Sequence, residues 1–294
     1  MTERLIGAHV SMVGGVDQAL ERAKDLGCNT MQVFSGSPRV WARTKLSALD
    51  ADKITSKSKE LGVSPIITHA IYLVNLASPN SELVKKSAKI LEYDLQFDSL
   101  IKGGGVVVHL GSHLGKGWLA VREQIVRQIK QVLANTPSDS TFLIENSAGQ
   151  KGKVGSDLTE IRWLLDQLKS KRVGWCFDTC HAYAAGLGLG SKVSQPLPKK
   201  MADDFDQLAI EEITLLGLWS SLKVVHVNDS RDEFGSGRDR HANLGEGQIP
   251  PQDFKYFLNY AKVKKLPLIL EVPGFDKNGP DRRNVELLKK MVGV

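Results

Sequence analysis

Short apolar runs alternate along the chain with longer stretches in which apolar residues recur every three or four positions. The short runs predict β-strands at Leu5–His9, Thr30–Phe34, Pro65–His69, Val106–Leu110, Thr141–Glu145, Val173–Asp178, Lys223–Asn228 and Pro267–Glu271. Each is apolar almost throughout, which marks strands buried on both faces, as in a parallel sheet. The longer stretches predict helices near Asp17–Leu26, Ser47–Leu61, Ser81–Lys102, Leu119–Ala134, Asp203–Leu218, Pro251–Lys262 and Asp281–Met291, with one more opening at Asp157. In Ser81–Lys102, Leu83, Ile90, Leu91 and Leu95 fall at helical spacing, and Gly103 to Gly105 are expected to end it. Asp157 and Glu160 have the spacing of a capping box.

The alternation amounts to eight strand–helix units. Eight parallel strands close into a TIM (β/α)8 barrel, and the length of 294 residues suits a single domain spanning 1–294. Helix-to-strand links are short (Gly27–Asn29, Gly62–Ser64), whereas two strand-to-helix links are long (Thr179–Ala202, Asp229–Pro250). In such barrels the strand-to-helix loops build the active site. An open doubly wound sheet is the competitor, but no G-x-G-x-x-G follows the first strand.

Composition narrows the class without fixing it. There is no apolar run long enough to span a bilayer, and MTERLIGAHV lacks the basic-then-apolar layout of a signal peptide. Three cysteines, Cys28, Cys176 and Cys180, cannot all pair within one chain. Their scarcity fits a reducing, cytoplasmic setting. Cys176 and Cys180 have C-x-x-x-C spacing, but with no second pair they read as small buried residues. The net charge of +6 permits a polyanionic partner without demanding one, and the basic residues are spread along the chain.

The candidate chemistry lies at strand ends. All seven histidines (His9, His69, His109, His113, His181, His226, His241) fall at predicted strand ends or in the loops after them. Glu145, Asp178, Asp239 and Glu271 occupy the same kind of position. Six strands present a candidate ligand there: His69, His109, Glu145, Asp178, His226 and Glu271. Glu145 and Glu271 close the runs TFLIE and PLILE, where an unpaired carboxylate would be costly to desolvate. Imidazoles and carboxylates converging from many strands make a metal site, with room for more than one ion. His181, and the Asp239-x-His241 pair on one side of an extended segment, suggest a separate ion beside the first. His9 and His113 are expected either to support ligands, to meet phosphate, or simply to bond loop backbone.

Seven segments together resemble the endonuclease IV family of apurinic/apyrimidinic-site DNA repair enzymes. They are GAHVS (7–11), THAIYLVNLA (68–77), HLGSHLG (109–115), LIENSAGQ (143–150), CFDTCHAYAAG (176–186), VHVNDSRDEFGSGRDRHANLGEGQI (225–249) and LILEVPG (268–274). They occur in family order and span nearly the whole chain. The resemblance implies a TIM barrel with three metal ions, usually Zn2+, with Mn2+ as an alternative at one or more sites. Carried over by position, His69, His109 and Glu145 would hold one ion. Glu145, Asp178, His226 and Glu271 would hold a second, and His181, Asp239 and His241 a third. Glu145 would bridge the first two, as befits paired catalytic metals about 3.5–4 Å apart.

The activity so implied belongs to base excision repair. A metal-activated hydroxide hydrolyses the phosphodiester 5′ to an abasic site, leaving a 3′-hydroxyl and a 5′-deoxyribose phosphate, and blocked 3′ ends are cleared as well. The partner is double-stranded DNA, and the enzyme is expected to be an intracellular monomer, nucleoid-associated when acting. An abasic nucleotide has lost its stacking, so extruding it costs less than extruding a normal one. Arg39, Tyr72 and Leu73 match the family's inserting positions, and Trp41 matches another. Lys151, Lys153, Arg238 and Arg240 are further candidates for phosphate contact. The chain departs from better-known members at Gly36, Ser37, Val40, Ala70, Ile71 and Leu110, none of them a metal ligand. Two rivals remain. One is a two-metal sugar isomerase on the same barrel, against which the His181, Asp239 and His241 set stands. The other is a non-catalytic abasic-site binding protein, which would not need a complete ligand set.

Overall fold

Eight of the apolar runs form parallel strands that close into a barrel in the computed structural model, which describes residues 3–150, 152–191 and 208–294. They are β1 (Ile6–His9), β2 (Thr30–Phe34), β3 (Ile66–His69), β4 (Val106–Val108), β5 (Phe142–Glu145), β6 (Val173–Asp178), β7 (Leu222–His226) and β10 (Leu268–Leu270). Each pairs with its sequence neighbours, and β10 closes the ring onto β1. The helices α1 (Val16–Asp25), α2 (Ala51–Leu61), α3 (Ser81–Leu100), α4 (Trp118–Ala134), α5 (Leu158–Leu168), α7 (Ala209–Leu215), α8 (Pro251–Leu258) and α9 (Arg282–Val292) follow the strands in turn. Their buried stripes, such as Leu91 and Leu95 of α3 and Ile125 and Ile129 of α4, pack on the outside of the barrel.

Strand alternation divides the barrel residues into two populations. One set faces outward and packs under the helices. The other faces inward, where Ile67, Val107, Leu143, Cys176, Val224 and Ile269 form a separate buried cluster. These six residues plug the barrel interior, as inward-facing layers do in barrels of this size. At the first strand the plug requires glycine, because a Cβ on Gly7 would sit 2.5 Å from the Thr30 carbonyl oxygen.

Several elements depart from the sequence expectations. A short helix, α6 (Thr179–Ala184), follows β6 directly, so His181 lies on a helix rather than in a loop. Its cap is the Asp178 carboxylate, which accepts from the His181 backbone N–H at 2.7 Å. The long link after β7 contains an antiparallel ribbon, β8 (Asp229–Ser230) with β9 (His241–Ala242). α2 starts at Ala51, where Asp50 caps it, and α8 stops at Leu258 before a 3-10 turn at Val263–Lys265. The helix expected from Asp203 begins outside the described residues, and its described part is α7. The expected capping box at Asp157 is only half formed. Asp157 accepts from Thr159 N–H, but the Glu160 carboxylate reaches Gly155 N–H at 2.7 Å instead of the cap residue's own N–H.

The end of α3 shows why its glycines are needed. The helix stops at Leu100, Lys102 takes a left-handed conformation, and the chain turns back over Asp98. A Cβ on Gly103 would overlap the Asp98 carboxylate. That carboxylate is buried and accepts from Gly105 N–H at 3.1 Å and from the Thr68 hydroxyl at 3.4 Å. Burial pushes its pKa up to about 7. The folded chain therefore holds the Asp98 proton more tightly than the unfolded chain, where aspartate titrates near ~3.9. Stability from this group is greatest below about pH 4 and is lost as pH rises toward 7, by at most about 4 kcal/mol. Asp98→Asn is expected to flatten that slope. Urea unfolding at pH 5 and pH 8 checks it, and equal pH dependence in both proteins would contradict the assignment.

Candidate metal centre

Six candidate ligands each stand two residues beyond a member of the interior plug. The pairs are Ile67 with His69, Val107 with His109, Leu143 with Glu145, Cys176 with Asp178, Val224 with His226, and Ile269 with Glu271. Since side chains alternate along a strand, each ligand faces the barrel axis one layer above the plug. Register sets Asp178 opposite His226 but staggers the others, with His69 opposite Val107 and Glu145 opposite Cys176, as the tilt of strands in a closed barrel requires. His9 and Gln32, paired across β1 and β2, complete the ring. His109 and Glu271 lie one residue past their strands as the chain bends outward. After β4 that bend includes Gly111, at φ 90°, where a Cβ would meet the Asn75 backbone.

Among the described residues five groups of candidate donor atoms lie within 4.8 Å of one another; two include a thiol, Cys176 with Glu145 and His226 and Cys180 with Asp178 and His241, and three are built of imidazole and carboxylate alone. In the first of these three, His69 Nε2 and His109 Nε2 lie 3.2 and 3.1 Å from Glu145 Oε2. In the second, His226 Nδ1 lies 3.0 Å from Glu145 Oε1, 3.1 Å from Glu271 Oε2 and 3.9 Å from Asp178 Oδ2. In the third, His181 Nε2 and His241 Nε2 face Asp239 Oδ1 at 3.0 and 3.5 Å. Glu145 is fully buried and turns one oxygen to the first group and the other to the second. Each of the three resemblance-based ligand sets is thus among the groups that the fold brings together.

The outer nitrogens fix how the rings present themselves. His69 Nδ1 is 2.6 Å from the Ala70 carbonyl, His181 Nδ1 is 3.0 Å from that of Asn146, and His241 Nδ1 is 3.2 Å from that of Glu271. A carbonyl only accepts, so each Nδ1 carries the proton and Nε2 is left with a lone pair. His226 is reversed. Its Nε2–H donates to Gln32 Oε1 at 2.8 Å, leaving Nδ1 to face the carboxylates. Metal-ligating histidines are oriented in this way by a partner on the other nitrogen. The Nε2 atoms of His181 and His241 face carboxylate oxygens and no donor, an arrangement that is costly for unprotonated nitrogens unless a cation takes the lone pairs.

Charge leads to the same conclusion. Glu145, Asp178, Asp239 and Glu271 bring four carboxylates to one cleft, and the first two are fully buried. Burial pushes the Glu145 carboxyl up, but the His109 and His226 imidazoles outweigh it and hold the group well below the usual carboxylate range. Burial lowers His109 to about 4, so its ring is neutral and able to ligate. Although burial opposes it, neighbouring acids hold the His181 and His226 imidazoles well above their ordinary value, so bound cations would replace the protons that otherwise balance this charge. The residues present fit divalent metal ions with mixed nitrogen and oxygen ligands. Cys176 lies in the plug below, where burial pushes its thiol up to about 12. With Cys28 and Cys180 it is free and buried, as expected.

Three polar residues went unnoticed in the sequence. The Gln32 amide nitrogen lies 2.6 Å from Glu271 Oε1 and 2.9 Å from His9 Nδ1. Asn228 donates to Asp178 Oδ2 at 2.6 Å and accepts from Glu271 N–H at 2.8 Å. Asn146 accepts from Asp178 N–H at 2.6 Å and donates to the Asp178 carbonyl at 3.1 Å. The one available signal was a polar residue on the inward parity of an apolar strand, as in Thr-Met-Gln-Val-Phe. His9 belongs to this supporting layer, 3.4 Å from Glu271. His113 does not reach the centre, and its Nδ1 accepts from Gly115 and Gly117 N–H in its own loop.

The centre opens into a cleft of about 580 Å3 whose wall includes Tyr72, Pro273, Lys277 and Pro280. Tyr72 is 68% exposed and stacks edge-on against Phe34 at 5.3 Å, whereas Leu73 and Trp41 are half-buried against the core. Arg39 is exposed on a loop that Arg43 braces through the Val40 and Ala42 carbonyls. Arg238 and Arg240 both pair with Asp232, Arg240 through two nitrogens. Lys153 lies on the far rim beside Tyr72, and Lys151 is outside the described residues.

The model of the xylose isomerase-like TIM barrel family matches residues 20–291. A probable endonuclease 4 of Methanoculleus marisnigri is 37% identical over 292 residues, 99% of each chain. One from Halothermothrix orenii is 35% identical over 97% of this chain and 99% of its own. The crystal structure of endonuclease IV from Thermus thermophilus superposes with a TM-score of 0.80 at 32% identity, covering 99% of both chains. A 3-keto-D-glucoside 4-epimerase from E. coli, at 14% identity and a TM-score of 0.67, shares the fold alone.

Stripping divalent metal with a chelator is expected to lower the melting temperature, and added Zn2+ to restore it. Each site held at a free-ion concentration 100-fold above its Kd contributes about 2.7 kcal/mol. A melting temperature indifferent to both treatments would contradict the metal assignment.

Proposed function

Because the chain belongs to the endonuclease IV family of metal-dependent nucleases, we propose that it is a zinc-dependent apurinic/apyrimidinic endonuclease of base excision repair. It hydrolyses the phosphodiester 5′ to an abasic site, and it removes groups that block 3′ ends. The P–O3′ bond breaks, leaving a 3′-hydroxyl on one side and a 5′-deoxyribose phosphate on the other. The observation that carries this reading is the pair of Glu145 oxygens, each turned to a different ligand group at the floor of one cleft.

His69, His109 and Glu145 would hold one ion, Glu145, Asp178, His226 and Glu271 a second, and His181, Asp239 and His241 a third. Imidazole and carboxylate suit Zn2+, and the carboxylate-rich second set also suits Mn2+. When bound, such ions lower the pKa of water and neutralise charge on phosphate oxygens. The chain's own groups do the remaining work. Gln32 and Asn228 hold ligand side chains in place and Asn146 holds the Asp178 backbone, so the centre does not reorganise as charge develops. Glu145 is the residue to which we assign a catalytic role, because it alone joins the first two groups.

Selection of the lesion follows from the mouth of the cleft. Tyr72 offers an exposed ring directly above His69, with centroids 6.2 Å apart, where it would stack in the space vacated by the missing base. Leu73 behind it and Arg39 on the neighbouring loop would support the deformed duplex. All the ligands come from one chain, so the enzyme would act as a monomer.

Glu145→Gln keeps the shape and removes the shared charge. Ligand loss should exceed the 10- to 100-fold cost typical of groups that merely orient ligands, so incision should fall by about 100-fold or more. The assay uses a duplex with one abasic site beside an intact duplex. Failure of metal-replete wild-type protein to cut 5′ to the lesion would sink the reading. Tyr72→Ala should weaken binding to the abasic duplex by about 1–3 kcal/mol, the usual worth of one stacking contact. Its binding to intact duplex should hardly change, and anisotropy titrations of both duplexes make the comparison.

A further inference from the structure

Immediately after Glu271 the chain forms a tight loop, Pro273–Pro280, that returns along the cleft wall. Gly279 N–H donates to the Pro273 carbonyl at 2.9 Å, and Lys277 N–H to that of Gly274 at 3.1 Å. Asp281 accepts from Phe275 N–H at 2.5 Å, and Asp276 from Asn278 N–H at 3.0 Å. The Arg283 guanidinium lies 3.6 Å over the Phe275 ring. Only glycine fits at position 274, where φ is 80° and a Cβ would overlap the Gly279 carbonyl oxygen. The loop is therefore a built structure with little freedom.

At its tip Lys277 sits at φ 64°, a left-handed conformation that disfavours residues with a Cβ. Such strain persists where surrounding bonds enforce it, and it concentrates at functional sites. Among the described residues lining the cleft, Lys277 is the one with a permanent positive charge. Arg238 and Arg240 are held by Asp232, and Lys153 lines the adjoining pocket instead of this cleft. Among the described residues, Lys277 forms no ion pair.

We propose that Lys277 contacts a backbone phosphate of the substrate strand beside the metal centre, as a binding residue fixed by the strained loop. The assignment rests on the DNA substrate proposed above. An ammonium on a rigid loop meets a phosphate oxygen without the entropy cost of ordering the backbone that carries it. As a phosphate contact it contributes equally before and during reaction, so it sets affinity rather than turnover.

Three variants of the full, zinc-replete chain test this. Lys277→Asn removes the charge with a residue that tolerates left-handed backbone, Lys277→Gln removes it without that tolerance, and Lys277→Arg keeps it. Binding is followed by anisotropy over a salt series. The duplex carries an abasic analogue whose 5′ linkage has a methylene in place of the bridging 3′-oxygen, which preserves the phosphate charge and blocks incision. Each phosphate contact contributes about 0.9 to the slope of log K against log salt. Both neutral variants should lose about that much slope and bind roughly eightfold more weakly at ~0.1 M salt, converging on wild type near ~1 M. On cleavable substrate KM should rise with kcat unchanged, and Lys277→Arg should behave as wild type. An unchanged slope in Lys277→Asn, or a fall in kcat without a rise in KM, would overturn the proposal. Absence of incision by wild-type protein would instead remove the repair reading, while the salt slope on the same duplex still decides Lys277.

Discussion

Along a β-strand every second side chain faces the same way, and in this barrel that alternation carries six strands from plug to ligand in one step. The plug residues Ile67, Val107, Leu143, Cys176, Val224 and Ile269 are fixed by apolar burial. Residues two positions on have no alternative direction. A slip of one position in any strand would expose a plug residue's neighbour to the axis and turn a ligand toward the helices. The energy that holds the core together is thus also what aims the imidazoles and carboxylates. These six ligands need no separate scaffold, whereas His181, Asp239 and His241 are placed by α6 and by the ribbon segment after β7.

The outer bonds refine what the barrel places. Each of His69, His181, His226 and His241 has one nitrogen committed to a carbonyl or amide oxygen, leaving the other for the centre. Those carbonyls belong to residues at the strand ends and first turns, such as Ala70 and Asn146, so backbone geometry again decides side-chain chemistry. The rim is different in character. Arg39, Tyr72, Lys153 and Lys277 sit on loops whose shapes are set by local bonds and glycines. Substrate preference could change there without disturbing a single ligand.

This division accounts for what was legible in the sequence. The strands were visible because two-sided burial writes a continuous apolar run. The ligands were visible because a histidine or acid closing such a run adds nothing to apolar packing and must be matched by a partner. Gln32, Asn146 and Asn228 were not, because their value depends on partners from other strands that meet only when the barrel closes. The helix carrying His181 is six residues long, too short to show a period. The ribbon joining Asp229–Ser230 to His241–Ala242 pairs segments separated by a loop without apolar alternation. The capping box at Asp157 misled because Glu160 found a nearer donor in Gly155. Lys277 looked like any surface lysine, since its backbone conformation comes from the crossing at Gly274 and Gly279.

Gln32 makes the network directional. Its oxygen must face the His226 N–H and its nitrogen must face Glu271 and His9, so the amide has one allowed orientation. That orientation tells His226 which nitrogen to protonate, and hence which to offer the centre. A glutamate there would have nearly the same outline but no donor, setting two acids oxygen to oxygen and leaving His9 without its hydrogen. At this position the protein is bound by the polarity of the residue far more than by its size. Information about protonation thus enters the centre from a strand that contributes no ligand.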